Sequence, residues 1–158
     1  MKNKASILVI DDDPLIRYMI STTLEAIGFS IIEAASGEEG MSIYLEHSAD
    51  AILLDVIMPG GIDGFKVCET LRAQQKGEHI PILMMTSLED MESIDKAYEV
   101  GATDFIAKPI NIPLLGHRLR YMLRYSETTK RLLESEQRLH RMAYFDSLTE
   151  LPNRQFFC

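Results

Sequence analysis

No stretch of this 158-residue chain approaches the ~20 consecutive apolar residues that span a bilayer. The apolar run near the amino terminus, residues 6–10, is too short for the apolar segment of a secretory signal. A soluble, cytoplasmic protein is expected. Cysteine is scarce: Cys68 and Cys158 belong to no Cys-x-x-Cys spacing, which argues against a thiolate metal site and fits a reduced compartment. His47, His79, His117 and His140 have no ligand spacing either, so zinc is not expected. Positive charge is in deficit. A net charge of −8 argues against nucleic acid or a membrane surface as the partner of the whole chain. Residues 117–141 are the exception, with Arg118, Arg120, Arg124, Lys130, Arg131, Arg138 and Arg141 against Glu127, Glu134 and Glu136, and they read as a solvated helix face. Glycine and proline are missing between His117 and Pro152, so a helix begun there meets no stop.

What is present is a regular alternation. Residues 6–10, 30–34, 51–55, 81–85 and 104–108 are short runs rich in Ile, Leu and Val, the composition of strands buried on both faces. Between them lie helix candidates with legible starts. Asp13 followed by Pro14 offers an N-cap and a first-turn proline, and Gly28 a stop. The segments "SGEE" (36–39) and "SLED" (87–90) have the form of capping boxes, and Asn111 can cap a helix containing Pro113. Five strands each followed by a helix imply parallel pairing and right-handed crossovers, hence an α/β, doubly wound five-stranded parallel sheet with an extended C-terminal helix. In such sheets ligands bind outside the carboxyl ends of the strands. Asp11 and Asp12, Asp55, Thr86 and Ser87, and Lys108 all fall at those ends and converge on one rim.

Adjacent carboxylates on a rim repel unless a cation joins them or some are protonated. Oxygen donors alone suit a hard ion, Mg²⁺ or Mn²⁺. A carboxylate beside a lysine and a threonine hydroxyl is apparatus for phosphoryl transfer: the carboxylate attacks phosphorus while positive charge offsets the phosphoryl oxygens.

The set "ILVIDDD", "LLDVIMP", "ILMMTS" and "GATDFIAKPI" resembles the bacterial two-component response-regulator receiver domain over residues 5–123. The resemblance implies a flavodoxin-like fold and Asp55 as the phosphoacceptor. It implies a metal held by Asp12, Asp55 and the backbone carbonyl of Ile57, with Asp11 holding metal-bound waters. Lys108 would pair with the phosphoryl oxygens, ahead of Pro109 and a cis peptide bond. Thr86, with Ser87 beside it, would bind the phosphoryl group, and Phe105 would turn inward as Thr86 moves. Asp13 would be structural, as a helix cap. The implied partner is a sensor histidine kinase or phosphotransfer protein. A homodimer through the surface of the fourth helix, fifth strand and fifth helix and through the linker helix is expected, and no enzymatic activity of the domain's own.

Two departures stand out. The loop "MPGGIDGF" is one glycine longer than the usual pattern, so Gly60 and Gly61 are expected to bulge beside the site. Ile57 and Leu88 stand where the family often carries polar side chains that position hydrolytic water, which points to a long-lived phosphoryl state.

Beyond the receiver (1–123), residues 124–142 are expected to form a linker helix. Met122, Tyr125, Thr129, Leu132, Glu136, Leu139 and Ala143 mark an imperfect coiled-coil seam. Residues 143–158 resemble the opening of diguanylate cyclase (GGDEF) domains through Asp146, Leu148, Thr149, Leu151, Pro152, Asn153 and Arg154, with Glu150 in place of the usual glycine. No Gly-Gly-Asp/Glu-Glu-Phe is present, so the regulatory half of a longer protein with a cyclase-type output is expected. The competing reading takes Asp11-x-Asp13 as the motif of a haloacid dehalogenase-like phosphatase with Asp11 as nucleophile. Leu15 does not fit that motif, and the acidic pair it needs after its lysine is absent.

Overall fold

The computed structural model describes residues 4–87 and 91–144, with side chains to Arg141. Its elements are β1 (Ser6–Ile10), α1 (Pro14–Ala26), β2 (Ser30–Ala34), α2 (Gly37–His47), β3 (Ala51–Asp55), α3 (Gly64–Arg72), β4 (Ile82–Thr86), α4 (Met91–Glu99), β5 (Asp104–Ala107) and α5 (Ile112–Tyr144), with a single 3-10 turn at Gln75–Gly77. The strands form one parallel sheet in the order β2-β1-β3-β4-β5. This is the doubly wound parallel fold expected from the alternation.

Period-two alternation divides the apolar residues between two faces. Leu8, Ile10, Ile52, Leu54, Ile82 and Met84 pack with Tyr44, Val67, Leu71 and Ala97 of α2, α3 and α4. Ile7, Val9, Leu53, Leu83, Met85 and Ile106 pack on the other face with Ile20 and Leu24 of α1 and Leu115 and Leu119 of α5. The central strands β3 and β4 are buried along their whole length, whereas the edge strands β2 and β5 are buried only in part. Covering both faces is what allows uninterrupted apolar runs.

The caps follow their side-chain chemistry. Asp13 accepts hydrogen bonds from the Leu15 and Ile16 N–H groups, and Ser36 accepts one from Glu39 N–H. Asn111 Oδ1 accepts from Leu114 N–H. Helix α1 ends where Gly28 takes φ +109, with Gly28 N–H donating to Glu25 O and Phe29 N–H to Leu24 O, a left-handed turn that suits glycine. Of the proposed cap at 87–90, Leu88 and the two residues after it lie outside the described residues.

Two strand boundaries and one helix position differ from expectation. Strand β4 begins after Pro81, which has no N–H to donate, and ends on Thr86. Strand β5 ends on Ala107, so Lys108 lies one residue past it, where its N–H donates to Thr86 O at 2.8 Å and its bond to Pro109 is cis. Met122 is buried in the core beside α1 and is unavailable to a seam, because the first turns of α5 must cover the sheet.

The chain divides into two compact units, Met1–Leu123 and Arg124–Cys158. In the described part of the second, Tyr125, Leu132 and Leu139 are 63%, 60% and 62% exposed. Among the described residues, no helix is long and apolar enough to cross a membrane.

Candidate functional site

Asp11 leaves β1 fully buried, and its backbone is fixed from both sides. Its N–H donates to Ala34 O, and its carbonyl accepts from Arg17 Nη1 at 2.7 Å. Its Oδ1 accepts from Asp13 N–H at 2.9 Å. Asp12 is exposed, whereas Asp55, the last residue of β3, is only 4% exposed. The register of the sheet does the assembly. Ile10 pairs with Leu54, one residue short of each acid, so Asp11 and Asp55 leave adjacent strands at the same level. Carboxylate oxygens of Asp11, Asp12 and Asp55 lie within 4.8 Å of one another, the one acidic group of this kind among the described residues.

Lys108 closes the cluster. Its Nζ donates to Asp55 Oδ1 at 3.1 Å and to Asp11 Oδ2 at 3.4 Å. One ammonium does not balance three carboxylates. Burial, and then the charge of Asp11, push the Asp55 carboxyl up to about 6 against the opposing pull of Lys108. Burial pulls the Lys108 ammonium down, but Asp55 and Asp11 outweigh it and leave it above its ordinary value. Excess negative charge in an all-oxygen donor set is the condition that a hard divalent cation relieves, so these residues fit Mg²⁺ or Mn²⁺.

The other expected residues are placed as follows. Thr86 ends β4, buried, one strand over from Asp55, and Ser87 follows it exposed. Phe105 pairs with Met84 on the same face of the sheet as Thr86 and is half-buried. Asp13 is taken up by the cap of α1, and Pro109 follows the cis bond. Ile57, 47% exposed, stands at the head of the loop between β3 and α3. That loop lines a cleft of ≈ 290 Å³ with Val56, Met58, Pro59, Asp63, Phe65 and Lys96.

Gly64 sits at the return of the loop, where its N–H donates to Val56 O at 2.8 Å. A Cβ there would collide with the carbonyl oxygen of Asp55, so only glycine lets α3 start so close to that acid. Sequence reasoning missed three side chains that shape the site. Asp63 caps α3 through Lys66 N–H, and an acid just ahead of a helix was a signal for it. Arg17 and Glu38 gave no local signal, because their partners lie on other elements.

Residues 7–120 match the family described as response regulator receiver domain. Curated relatives include a probable transcriptional regulator, ycf27, of Cyanophora paradoxa, 40% identical over 125 residues, covering 79% of this chain and 51% of that one. Another is the DNA-binding dual master transcriptional regulator RpaA of Synechocystis, 32% identical over 148 residues, covering 94% of this chain and 59% of that one. The chain thus spans between half and three fifths of the length of these relatives. Among solved structures, the chemotaxis protein CheY4 of Vibrio cholerae aligns with a TM-score of 0.72 at 33% identity, covering 76% of this chain and 99% of that chain. A putative response regulator from Chloroflexus aurantiacus aligns at 0.73 and 33%, covering 77% and 99%. With its fold, its clustered rim acids and a family match over most of its length, this chain belongs to the receiver domains of two-component response regulators.

Proposed function

We propose that Asp55 accepts a phosphoryl group from a histidine kinase or phosphotransfer partner. The single observation that carries this reading is Lys108 Nζ within hydrogen-bond reach of both Asp55 and Asp11, in a cluster with a surplus of carboxylates. An Asp55 oxygen attacks phosphorus, the bond from phosphorus to the donor imidazole nitrogen breaks, and an acyl phosphate and a free imidazole result. Lys108 is placed to offset charge on the transferred oxygens. Asp12, Asp55 and the Ile57 carbonyl would hold Mg²⁺ or Mn²⁺, with Asp11 holding its waters; when bound, the ion supplies further positive charge on the phosphoryl oxygens. The Thr86 hydroxyl and Phe105 then serve as the switch. Exposed Leu15, Tyr18 and Met19 on α1, beside a groove of ≈ 200 Å³ lined by Ile16, Ile20, Lys108, Pro109, Ile110 and Ile112, favour a protein donor over a small molecule alone.

Incubation with acetyl phosphate and Mg²⁺, borohydride trapping and peptide mass spectrometry test the assignment. Label on Asp55 is expected, and label on Asp11 would favour the phosphatase reading. That reading is disfavoured because the Asp13 carboxylate it needs is engaged by the helix it caps.

An exposed Ile57 cannot position hydrolytic water, so the acyl phosphate is expected to be long-lived, and Ile57→Asn should shorten its half-life severalfold in a dephosphorylation time course. A half-life of seconds in the parent protein would refute this.

The phosphorylated state is proposed to act through the surface of α4, β5 and α5 and a pairing of residues 124–142 with a second copy. In that helix Arg124, Glu127, Lys130, Arg131, Glu134, Arg138 and Arg141 fall outside the seam, while Tyr125, Leu132 and Leu139 lie on it exposed. Glu136 would face its own copy in a parallel pair, which leaves this seam weak without help from the receivers. Beryllofluoride is expected to increase association measured by light scattering; an unchanged mass would count against the dimer.

For the output, the residues Asp146 to Arg154 that resemble a diguanylate cyclase opening lie outside the described residues, and the comparisons lend a cyclase no support. That relatives are transcriptional regulators, RpaA a DNA-binding one, favours a second reading, a DNA-binding output. GTP conversion and DNA binding by the full-length protein separate the two.

A further inference from the structure

The loop lengthened by Gly60 and Gly61 is tied to the neighbouring helix at its tip as well as to the acidic site at its base. At the base, Gly64 N–H donates to Val56 O, against the backbone of Asp55 itself. At the tip, Ile62 N–H donates to Glu38 Oε1 at 3.0 Å, from a glutamate in the first turn of α2. Gly61 approaches so closely that a Cβ there would lie 3.0 Å from both Glu38 carboxylate oxygens. The Ile62 side chain seats over Gly37, where a Cβ would lie 3.0 Å from Ile62 Cγ1, and packs against the core.

Between these ends Met58 is buried in the core, but residues 59–61 are exposed and have little to hold them. Ile57 is exposed, Gly60 takes φ +89, and two consecutive glycines present no side chain to pack. A longer, glycine-rich loop costs more conformational entropy to order, so its geometry depends on such anchors. The Ile62 N–H holds the Glu38 carboxyl below its ordinary value, as a hydrogen bond donated to it does.

We propose that Glu38 is a positioning residue for the phosphoryl-transfer site: it anchors the Gly60–Gly61 loop and so holds Ile57 in place beside Asp55. The inference rests on the phosphoacceptor reading of Asp55 and assigns the longer loop its compensating partner. Glu38 touches neither the acidic cluster nor the transferred group.

The test uses the whole chain with Glu38→Ala, Glu38→Gln and Glu39→Ala. In metal-free protein, amide hydrogen exchange over residues 58–62 should accelerate about fivefold in Glu38→Ala, the change expected for loss of one hydrogen bond. Glu38→Gln, whose amide oxygen still accepts, should stay near the parent. Glu39→Ala removes the same charge from the same turn and should change nothing. In acetyl phosphate reactions, Glu38→Ala should raise the Mg²⁺ concentration for half-maximal rate severalfold while the rate at saturating Mg²⁺ stays close to the parent's. Glu38→Gln should restore it.

Faster loop exchange with an unchanged Mg²⁺ requirement would overturn the proposal, as would a Glu38→Gln defect equal to that of Glu38→Ala. If the parent itself takes up no phosphoryl group, the phosphoacceptor reading fails; the exchange measurement still decides whether Glu38 anchors the loop.

Discussion

Asp55→Asn should abolish phosphoryl incorporation and at the same time make the metal-free protein more stable at neutral pH. Burial and the facing charge of Asp11 raise the Asp55 carboxyl from 3.8 to about 6. The folded state therefore binds more protons than the unfolded state between those values, and stability falls as pH rises through that window. With each pKa unit worth about 1.4 kcal/mol, the loss approaches about 3 kcal/mol by pH 7. Asparagine keeps an amide oxygen for Lys108 but cannot ionise. In EDTA at pH 7.5, Asp55→Asn should melt about 5–10 °C above the parent. At pH 4 the difference should shrink towards zero, because the parent carboxyl is then mostly protonated in the fold. A variant that melts at or below the parent at pH 7.5 would refute the account of charge surplus. Added Mg²⁺ should stabilise the parent more than the variant, since the ion relieves the repulsion that asparagine has already removed.

Arg72→Ala should cause the largest loss of stability from a single side chain outside the apolar core. At the end of α3, Arg72 donates through Nε to Gly101 O at 2.8 Å and through Nη1 to Gly77 O at 2.9 Å and Ile80 O at 2.6 Å. Nη2 reaches Thr103 Oγ1 at 3.3 Å, and that hydroxyl accepts in turn from Ile82 N–H at the start of β4. One guanidinium thus ties the 3-10 turn, the entry to β4 and the loop before β5 together, at the opposite end of the sheet from the acidic rim. Truncation leaves several carbonyls without this donor, a cost of about 3 kcal/mol. In urea the unfolding midpoint should drop by about 1–2 M. Arg72→Lys should recover little, because one ammonium cannot reproduce a fork that serves separate segments. A midpoint within a few tenths molar of the parent would rule out the latch.

The two positions differ in how visible they were before any coordinates. Asp55 stood out in the sequence because an acid directly after an apolar run must leave the strand's carboxyl end, and parallel order carries every such end to one rim. Arg72 read as an ordinary basic residue closing a helix, because its acceptors are backbone carbonyls of residues 77, 80 and 101, which carry no side-chain signature. The same holds for Glu38, which sits in a capping-box segment yet points to the loop at Ile62, while Ser36 caps the helix through Glu39 N–H. The seam was misread at Met122, because 3.6-residue periodicity reports which face is apolar but not whether a sheet or a second helix will cover it.

Local chemistry written in the chain therefore determined the strands, the helix starts at Asp13, Ser36 and Asn111, the parallel order and the rim that gathers Asp11, Asp12, Asp55, Thr86, Ser87 and Lys108. Those features depend on alternation, capping and the rule that crossovers are right-handed, all of which act over a few residues or one crossover. Only the tertiary structure decided that Asp11 is sealed while Asp12 is open, that one lysine faces a surplus of carboxylates, and that Glu38 and Arg72 hold distant loops. Those facts depend on burial, register and distance between segments far apart in the chain, which arise when the sheet and its two helical layers close on one another.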